Sequence, residues 1–415
     1  MDGNTRSFLF LQGVTSPFFA RLATALTQQG HRVHKVNFNV GDVSYWMPRA
    51  SNWFRQDLSA LPGFLNKLYT QHGITDQVVF GDRRPVHVAA LEQGRLNDVR
   101  NHVFEEGYFR PNLITLEREG VNARSQLPRS PEWFIRAGLH LPALNSCQGF
   151  NSPLWLRALH DVAYQASGVL NRVLFAKYRT HLVMSPVVEY AGYLQRSRLL
   201  KRVATQNNDT IQTLMKQGTP YFFIPLQLNS DSQVRDHTRF HTMQLLLKHV
   251  VQSFAQHAPS HTKLVIKNHP LDTGWEHYDR VVLNLVHQYG LKERVIYLES
   301  GDLASLVKHA QGTITLNSTV GYVALEQGCP TLCLGDPQYN LPGLTDQQDL
   351  AQFWGMPVAP EAKLFESFKR VVVHTTQVYG GFYCPPSIAQ AVQGSSERLT
   401  AELSPLQQLL TVVPI

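Results

Sequence analysis

The 415-residue sequence contains only four cysteines, 17% charged residues and no apolar run of the roughly 18 residues needed to span a bilayer. The cysteines form no CxxC pair and no secreted-domain pattern, so a disulfide-stabilised extracellular domain is not indicated. The first residues, "MDGNTRSFLFLQG", have no basic segment followed by a long apolar one, and we expect no signal peptide. These absences favour a cytosolic protein that is soluble or peripheral on a membrane.

Several ligand-binding motifs are also missing from the sequence. It has no HExxH and no clustered Cys/His spacing, so neither a metal site nor a metal cofactor is expected. It has neither GxxxxGK[ST] nor GxGxxG, which argues against a P-loop and a typical dinucleotide site. The net charge of +7 and the pI of about 9.2 indicate an anionic partner. Because the basic residues lack the context of known nucleic-acid motifs, a phosphorylated small molecule or an acidic membrane surface is favoured over nucleic acid.

The alternation of apolar runs with helical periods predicts an α/β fold. Runs such as "SFLFLQG", "RVHKVNF" and "QVVFG" are separated by helical patterns, and a second such set begins at "YFFIPLQ". Two Rossmann-like, doubly wound domains facing a central cleft, a GT-B-like architecture, are therefore expected. The predicted domains are 1–205 and 206–360; a tail, 361–415, is expected to pack back on the first. The polar stretch 204–220 is predicted to be the linker.

The segment 153–202 is helical in pattern and is the most cationic block of the sequence. Its cations include Arg196, Arg198 and Lys201, interspersed among aromatic and aliphatic residues. Two interpretations are open, a solvated helix face or a patch that docks on an anionic membrane.

Charged residues at predicted strand ends form the candidate site of the first domain. The stretch "GDRRPVH" suits an anionic substrate, although its arginines could instead pair with the carboxylates of "HVFEEGYFRP". The acceptor and anion candidates are Asp82, Arg83, Arg84, His87 and Arg110. Neighbouring strand residues point to opposite faces, so Glu105 and Glu106 cannot both enter the cleft if the strand stays regular through them. We expect one to be catalytic and the other to be held by Arg83, Arg84 or Arg110.

In the second domain, "QLNSDSQ" directly follows a predicted buried strand. It places Gln227, Asp231 and Ser232 on a loop, where Asp231 could act as nucleophile or base. An Asx-turn or a helix N-cap is the alternative for these residues.

Two further strand ends of the second domain suit an anionic ligand. "KNHP" offers Lys267 and His269 to a phosphate or carboxylate, or a structural histidine. "LNSTVGYVALEQGCP" could hold the phosphate and ribose of a nucleotide, with simple helix capping as the alternative. Its candidates are Asn317, Ser318, Thr319 and Glu326.

Taken together, "SPFF", "NVGD", "FGDRRPVH", "FEEGYFRPNLITLEREGVN", "QLNSDSQ", "KNHP" and "NSTVGYVALEQGCP" resemble the bacterial capsule synthesis proteins of the KpsS type. The resemblance covers residues 8 to 335, and it implies that the domain 1–205 binds an acceptor and the domain 206–360 binds a CMP-sugar donor. It implies a retaining β-Kdo glycosyltransferase of the GT-B class that moves Kdo from CMP-β-Kdo to a lysophosphatidylglycerol-type lipid and so starts the poly-Kdo linker of a capsule. It implies no metal cofactor.

The same resemblance implies roles for individual residues. Asp231 matches the nucleophilic carboxylate, His269 the donor-site histidine beside the CMP phosphate, and Glu105 the acid/base. Ser318, Thr319 and Glu326 match the nucleotide-binding turn and helix.

The implied partners are CMP-Kdo, an anionic lysophospholipid, the inner face of the cytoplasmic membrane and other capsule synthesis and export proteins. An inverting nucleotide-sugar transferase, a GT-B-like epimerase and a non-catalytic membrane adaptor are the alternatives.

Overall fold

A computed structural model describes residues 5–144, 149–150, 153–180, 186–228, 240 and 242–415. The chain divides into two compact units. The first unit consists of Met1–Pro128, Arg136–His181 and Lys369–Ile415, and the second consists of Arg129–Ile135 and Leu182–Phe368.

The first unit is built on a seven-stranded sheet with the strand order β12-β6-β5-β4-β1-β2-β3. Its strands are β1 Ser7–Phe10, β2 Arg32–Asn37, β3 Asn52–Trp53, β4 Asp76–Phe80, β5 Arg100–Glu106, β6 Leu113–Arg118 and β12 Gln377–Tyr379. Strands β3, β2, β1, β4 and β5 are parallel, β6 runs antiparallel to β5, and β12 runs antiparallel to β6.

Helices cover both faces of this sheet. The helices of this unit are α1 Phe18–Gln28, α2 Val40–Trp46, α3 Leu61–His72, α4 Pro85–Leu96, α6 Leu154–Ser167 and α7 Asn171–Leu174, and its 3₁₀ turns are Leu58–Ala60, Asn122–Arg124 and Gly168–Leu170; α5 Pro131–Gly138 begins in a segment of the second unit and ends in one of the first. Phe104 of β5 packs in the cluster formed with α1, and its neighbour Val103 packs in the cluster formed with α3 and α4. Successive residues of β5 thus enter opposite cores, as strand geometry requires.

The second unit contains a five-stranded parallel sheet with the strand order β11-β10-β7-β8-β9. Its strands are β7 Tyr221–Pro225, β8 Lys263–Lys267, β9 Val295–Leu298, β10 Gly312–Thr315 and β11 Thr331–Cys333. Its helices are α8 Pro186–Gln217, α9 Met243–His257, α10 Tyr278–Tyr289, α11 Leu303–Lys308, α12 Val320–Glu326 and α13 Leu350–Phe353. Helix α14, Ala362–Thr376, leads back to the first unit, which ends with α15 Pro385–Thr400 and α16 Pro405–Val412.

Both sheets share the strand order of a Rossmann fold. Numbered along the chain within each unit, the five parallel strands lie in the order 3-2-1-4-5, so the winding direction reverses between β1 and β4 and between β7 and β10. Ligands of such sheets bind beside these switch points, at the carboxyl ends of the strands. The predicted α/β class with two Rossmann-like domains is confirmed.

The strands that the sequence predicted are long apolar runs, and all are present. Strands β7 and β1 are buried over their whole length, because helices cover both of their faces. The short strands β3 and β12 and the six-residue strand β6 were not predicted. Strand β12 lies in the tail, where a helical pattern precedes it, and it adds to the sheet edge at β6.

The stretch 204–220, predicted to be a polar linker, is largely the second half of the long helix α8. Ile211 and Leu214 of this half are buried against Tyr221 and Phe223 of β7. Since this apolar contact fixes the helix to the second unit, the predicted boundary between 205 and 206 falls inside one element of that unit.

Among the residues that the structure describes, no helix is both long enough and apolar enough to cross a bilayer.

Candidate active site

The loop between β4 and α4 lies at the switch point of the first unit. Arg84 precedes α4 and donates its Nη1–H to the carbonyl oxygen of Gly13, 2.9 Å away, on the loop after β1. Asp82 is buried, accepts a hydrogen bond from the backbone N–H of Val121 (3.3 Å) and has Arg83 Nε 3.9 Å from its Oδ1. These three candidates for an anion site lie at the switch point, and part of their bonding supports the loop itself.

His87, the fourth candidate of this loop, is fully buried on α4. Its Nδ1 lies 2.7 Å from the carbonyl oxygen of Gly81, the residue that follows β4. This contact ties the first turn of α4 to the preceding loop.

The adjacent carboxylates at the end of β5 have different surroundings. Glu106 forms an ion pair with Arg157 of α6, with 3.2 Å between Oε1 and Nη1. The prediction that Arg83, Arg84 or Arg110 holds one of the two carboxylates is wrong for Glu106, because its cation is Arg157. Arg110 Nε instead donates to the carbonyl oxygen of Gly107 (3.1 Å).

Glu105 lies on the opposite face of β5 from Glu106. One of its oxygens accepts the backbone N–H of Glu106 at 2.9 Å. Within the described part of the chain, no basic nitrogen lies within 4.0 Å of the Glu105 carboxylate, although Arg84 is close enough to lower its pKa. The loop of β4 passes closely here, because a Cβ atom on Gly81, whose φ is +73°, would lie 3.4 Å from Glu105 Oε2.

The pKa of Glu105 is raised from its ordinary value to about 7. Burial of the carboxyl group is the main cause, and the charges of Glu106 and Asp82 add to it, while Arg84 and the Glu106 N–H oppose it. A carboxyl group with such a pKa is ionised in about half of the molecules at neutral pH, so it can both accept and donate a proton there.

Arg157 couples helix α6 to this pair of carboxylates. Its guanidinium carbon lies 5.2 Å from the ring centre of Tyr383, beside its ion pair with Glu106. Burial alone would lower the pKa of Arg157, but Tyr383, Glu106 and Asp161 outweigh it and raise the pKa above its usual value. Arg157 therefore stays charged and holds Glu106 as its counter-ion.

A second polar cluster at this sheet edge escaped the sequence analysis. Lys35 of β2 is buried and donates from Nζ to the carbonyl oxygens of Leu11 (2.6 Å) and Val36 (3.0 Å). Burial lowers the pKa of Lys35 to about 8; Arg84 adds to the effect and Asp42 opposes it. This lysine thus loses its proton more readily than an exposed one.

Asp42 and Tyr164 complete this cluster. Asp42 accepts the Tyr164 hydroxyl at 2.9 Å through Oδ1 and the backbone N–H of Phe38 at 3.0 Å through Oδ2. Tyr164 Oη in turn accepts from the side-chain amides of Gln12 (3.1 Å) and Asn39 (2.8 Å). The motif "NVGD" marked Asp42 only as part of a strand end, and nothing in the local sequence connects it to a tyrosine on α6.

In the second unit, Gln227 and Asn317 meet across the switch point between β7 and β10. Gln227 Nε2 donates to Asn317 Oδ1 at 3.1 Å, and the Asn317 backbone N–H donates to Gln227 Oε1 at 3.4 Å. The structure therefore brings together two predicted donor-site residues that lie far apart in the sequence.

The other three candidates of the donor site lie in the β10–α12 turn and on α12. Ser318 Oγ accepts the Val320 N–H at 3.2 Å, and the Ser318 carbonyl accepts the Tyr339 hydroxyl at 2.6 Å. Thr319 is the partly buried N-cap residue of the seven-residue helix α12, and Glu326 is exposed at its last position.

Lys267 is the last residue of β8, and His269 lies two positions after it. Lys267 is buried, and its pKa is lowered by burial and by the nearby charge of Arg196, with Asp302 opposing. His269 is partly buried, and its Nδ1 accepts the backbone N–H of Leu271 at 3.1 Å. A neutral His269 thus carries its proton on Nε2.

A buried ion network supports the His269 loop. Arg196 of α8 contacts Asp272 (3.0 Å) and Glu299 (2.8 Å), and only 3% of its side chain is exposed. For Arg196 both interpretations offered from the sequence, a solvated helix face and a membrane patch, are wrong, because the two carboxylates enclose its charge. Arg198 and Lys201 are exposed on the same helix.

Asp231 and Ser232, predicted as nucleophile and donor ligand, lie outside the described residues. Within the ranges that are described, no group of three or more His, Cys, Asp and Glu side chains could hold a metal ion.

Known proteins resemble this chain over most of its length. The family described as capsule polysaccharide biosynthesis protein matches residues 75–383. The capsule polysaccharide modification protein LipB of Neisseria meningitidis serogroup A is 36% identical over 394 residues, 92% of either chain. The capsule polysaccharide export protein KpsS of Escherichia coli is 33% identical over 383 residues, which cover 91% of this chain and 97% of KpsS. The solved KpsC β-Kdo 2,7 transferase of Thermosulfurimonas dismutans matches with a TM-score of 0.44 at 14% identity, covering 94% of this chain and 99% of that one. As the resemblance to KpsS-type proteins predicted, the chain belongs to the capsule polysaccharide biosynthesis family.

Proposed function

We propose that this protein is a retaining glycosyltransferase that moves β-Kdo from CMP-β-Kdo to a lysophosphatidylglycerol-type lipid and so initiates the poly-Kdo linker of a capsule. Family membership and the similarity to KpsS over almost the whole chain support a role in capsule synthesis. The partners proposed with it are the inner face of the cytoplasmic membrane and other capsule synthesis and export proteins.

The observation that carries the proposal is the carboxyl group of Glu105. It lies at the carboxyl end of β5, and its pKa is raised to about 7, chiefly by burial. A transferase that acts near neutral pH needs a group of this kind to take the proton of the acceptor hydroxyl.

Retention requires two displacements at the anomeric carbon. In the first, a carboxylate bonds to this carbon and CMP leaves with the electron pair of the broken C–O bond. In the second, the acceptor oxygen bonds to the same carbon, its proton passes to the ionised Glu105, and the carboxylate nucleophile is released. We assign the nucleophile to Asp231 from the resemblance alone.

The second unit suits the anionic donor. Gln227 and Asn317 bond to each other at the switch point where Rossmann-like sheets bind their ligands. Lys267 and His269 offer a cation and an N–H donor at the neighbouring strand end, fitting a phosphate or the Kdo carboxylate. We propose this edge, with Ser318, Thr319 and Glu326, as the CMP-Kdo site.

The test is an assay with CMP-Kdo and a fluorescent lysophosphatidylglycerol, in which mass spectrometry detects the product. Glu105→Gln should lower the rate of transfer by about 10²- to 10⁴-fold, because the amide cannot accept the proton. Glu106→Gln, the matched neighbour, should retain more activity because Glu106 serves as the counter-ion of Arg157. Full activity of Glu105→Gln would remove the acid/base assignment.

The nucleophile is tested separately. Asp231→Ala should abolish transfer while CMP still binds, as measured by calorimetry. A variant that transfers Kdo at the wild-type rate would contradict the assignment of Asp231. Transfer should also persist in excess EDTA, since we propose no metal cofactor.

A further inference from the structure

In helix α6 and the turn that follows it, the apolar side faces the solvent and the polar side faces the protein. Most soluble helices bury an apolar face and expose a polar one. Here the large exposed side chains between residues 155 and 173 are mainly apolar, and the smaller exposed positions among them include alanines at 158, 163 and 166. We call the large ones the outer apolar stripe; they are Trp155, Leu159, Val162, Val169, Leu170 and Val173.

The stripe is strongly exposed and has a helical period. Trp155 is 63% exposed, Val169 75% and Val173 79%. Within α6, the spacings of four and three residues put Trp155, Leu159 and Val162 on one side of the helix. Val169, Leu170 and Val173 follow on the 3₁₀ turn and on α7, so six large exposed apolar side chains lie within nineteen residues, more than the scattered single exposures of ordinary protein surfaces.

The polar side of the same helix is turned toward the candidate site. Tyr164 bonds to Asp42, Arg157 pairs with Glu106, and His160 Nδ1 lies 2.8 Å from the Tyr45 hydroxyl. These bonds fix the orientation of the helix, so its apolar side cannot turn inward without breaking them.

The end of the segment is anchored as well. Phe175 is buried and stacks on Trp53 with ring centres 5.2 Å apart, and Asn171 Oδ1 accepts the Val40 N–H at 2.8 Å. The outer apolar stripe is therefore a surface held in place at both ends.

We propose that the outer apolar stripe docks this protein on an anionic lipid bilayer, lying in the interface with the stripe toward the acyl chains. The inference deepens the proposed function, on which it rests for the link between docking and a lipid acceptor. An exposed apolar helix side that carries a tryptophan and has cations near it is typical of surfaces that bind in the interfacial plane of a bilayer.

Charge favours the bilayer over a second copy of the chain. Arg172 lies beside Val173 of the stripe, and Arg179 follows on the surface; Lys177 is also exposed and pairs with Asp57, whereas Arg157 faces Glu106 on the other side of the helix. A two-fold contact through this surface would bring the arginines of both copies into one interface, which costs free energy. Anionic head groups attract the same cations.

The experiment is flotation of the full chain with vesicles of phosphatidylglycerol and phosphatidylethanolamine. The variant Leu159→Gln/Val169→Gln/Val173→Gln removes apolar surface without changing charge and keeps good helix formers. Its vesicle affinity should fall at least about tenfold, because interfacial binding scales with the apolar area buried. Equal binding of this variant and the wild type would overturn the proposal.

A matched control makes the same replacement at exposed apolar positions on other helices, Leu245→Gln, Leu283→Gln and Val412→Gln. Its affinity should stay within about twofold of the wild type, and circular dichroism should show both variants folded. A comparable loss in the control would contradict a role of the outer apolar stripe in particular.

Tryptophan emission gives a second readout that does not depend on flotation. Addition of vesicles should shift the emission of the wild type to shorter wavelength, and most of this shift should vanish in Trp155→Phe. An unchanged shift in that variant would count against insertion of the stripe. A wild-type dimer that the triple variant dissociates would show that a second copy covers the surface, and would also overturn the proposal.

Failure of the inference can be separated from failure of the proposed function by assaying transfer to a short-chain, water-soluble lysophosphatidylglycerol. Transfer to this acceptor without vesicle binding by the wild type would refute the docking surface alone. Stripe-dependent vesicle binding without any Kdo transfer would refute the proposed function and leave the docking surface supported.

Discussion

Replacing Arg196 by methionine should strongly destabilise the second unit. Arg196 lies 3.0 Å from Asp272 and 2.8 Å from Glu299, and their side chains are 3%, 6% and 14% exposed. The substitution keeps a long side chain but leaves two largely buried carboxylates without their cation. Removing one partner of a buried ion pair costs about 3–5 kcal/mol, because the remaining charge is desolvated and uncompensated.

That cost corresponds to a large thermal shift. For a unit of this size, 1 kcal/mol lowers the melting temperature by roughly 2–4 °C, so we expect a decrease of roughly 6–20 °C in the calorimetric transition of the second unit. Amide hydrogen exchange in β8 and in the loop after it should accelerate, since the network supports this loop. CMP binding should weaken with it, because His269 belongs to the same loop.

The matched control is Arg198→Met, which removes an exposed arginine two positions further along the same helix. It should change stability by no more than about 0.5 kcal/mol. Adding Asp272→Asn and Glu299→Gln to Arg196→Met should recover part of the loss, because the unpaired charges disappear. Equal small shifts for Arg196→Met and Arg198→Met would refute the argument that the buried network is intact.

Three further predictions concern the candidate site. The native pKa of Glu105, about 7, exceeds its ordinary value, so stability should fall as pH rises from about 4.5 to about 7; Glu105→Gln should remove this loss and stabilise the protein at pH 8 by up to about 3 kcal/mol but hardly at pH 4, as melting curves at both pH values would show. Arg157→Gln should lower the rate of transfer by releasing Glu106, and Arg157→Lys should restore part of it; equal rates for both variants would contradict the counter-ion role. Gln227→Leu should weaken CMP binding in calorimetry by about tenfold, because Asn317 loses the partner that orients it; unchanged affinity would contradict that role.

The sheets could be predicted from sequence because their strands are local features. A buried parallel strand is a continuous apolar run, and β1, β4, β7 and β8 each stand out as one. Strand β12 has three residues and follows a helix directly, so its pattern does not differ from that of a helix end.

The pairings at the site could not be predicted because they join distant residues. Arg196 lies 76 positions before Asp272, and Asp42 lies 122 positions before Tyr164. A cationic helix with a buried ion pair has the same local pattern as one with a solvated face. Lys35 was missed for a similar reason, since a lysine in a strand indicates solvent exposure unless the covering residues are known.

The opposite roles of Glu105 and Glu106 could be predicted in part. Strand alternation required their side chains to point to different faces, and the structure has them there. The partner of Glu106 was predicted wrongly, because Arg157 comes from α6, a segment that the sequence suggested only as a cationic helix.

The central claim, retaining transfer of β-Kdo, is tested most directly by the anomeric configuration of the product. The protein would be incubated with CMP-β-Kdo and lysophosphatidylglycerol, and NMR would determine the configuration of the new Kdo linkage. The account predicts a β-linked Kdo. An α-linked product would contradict it.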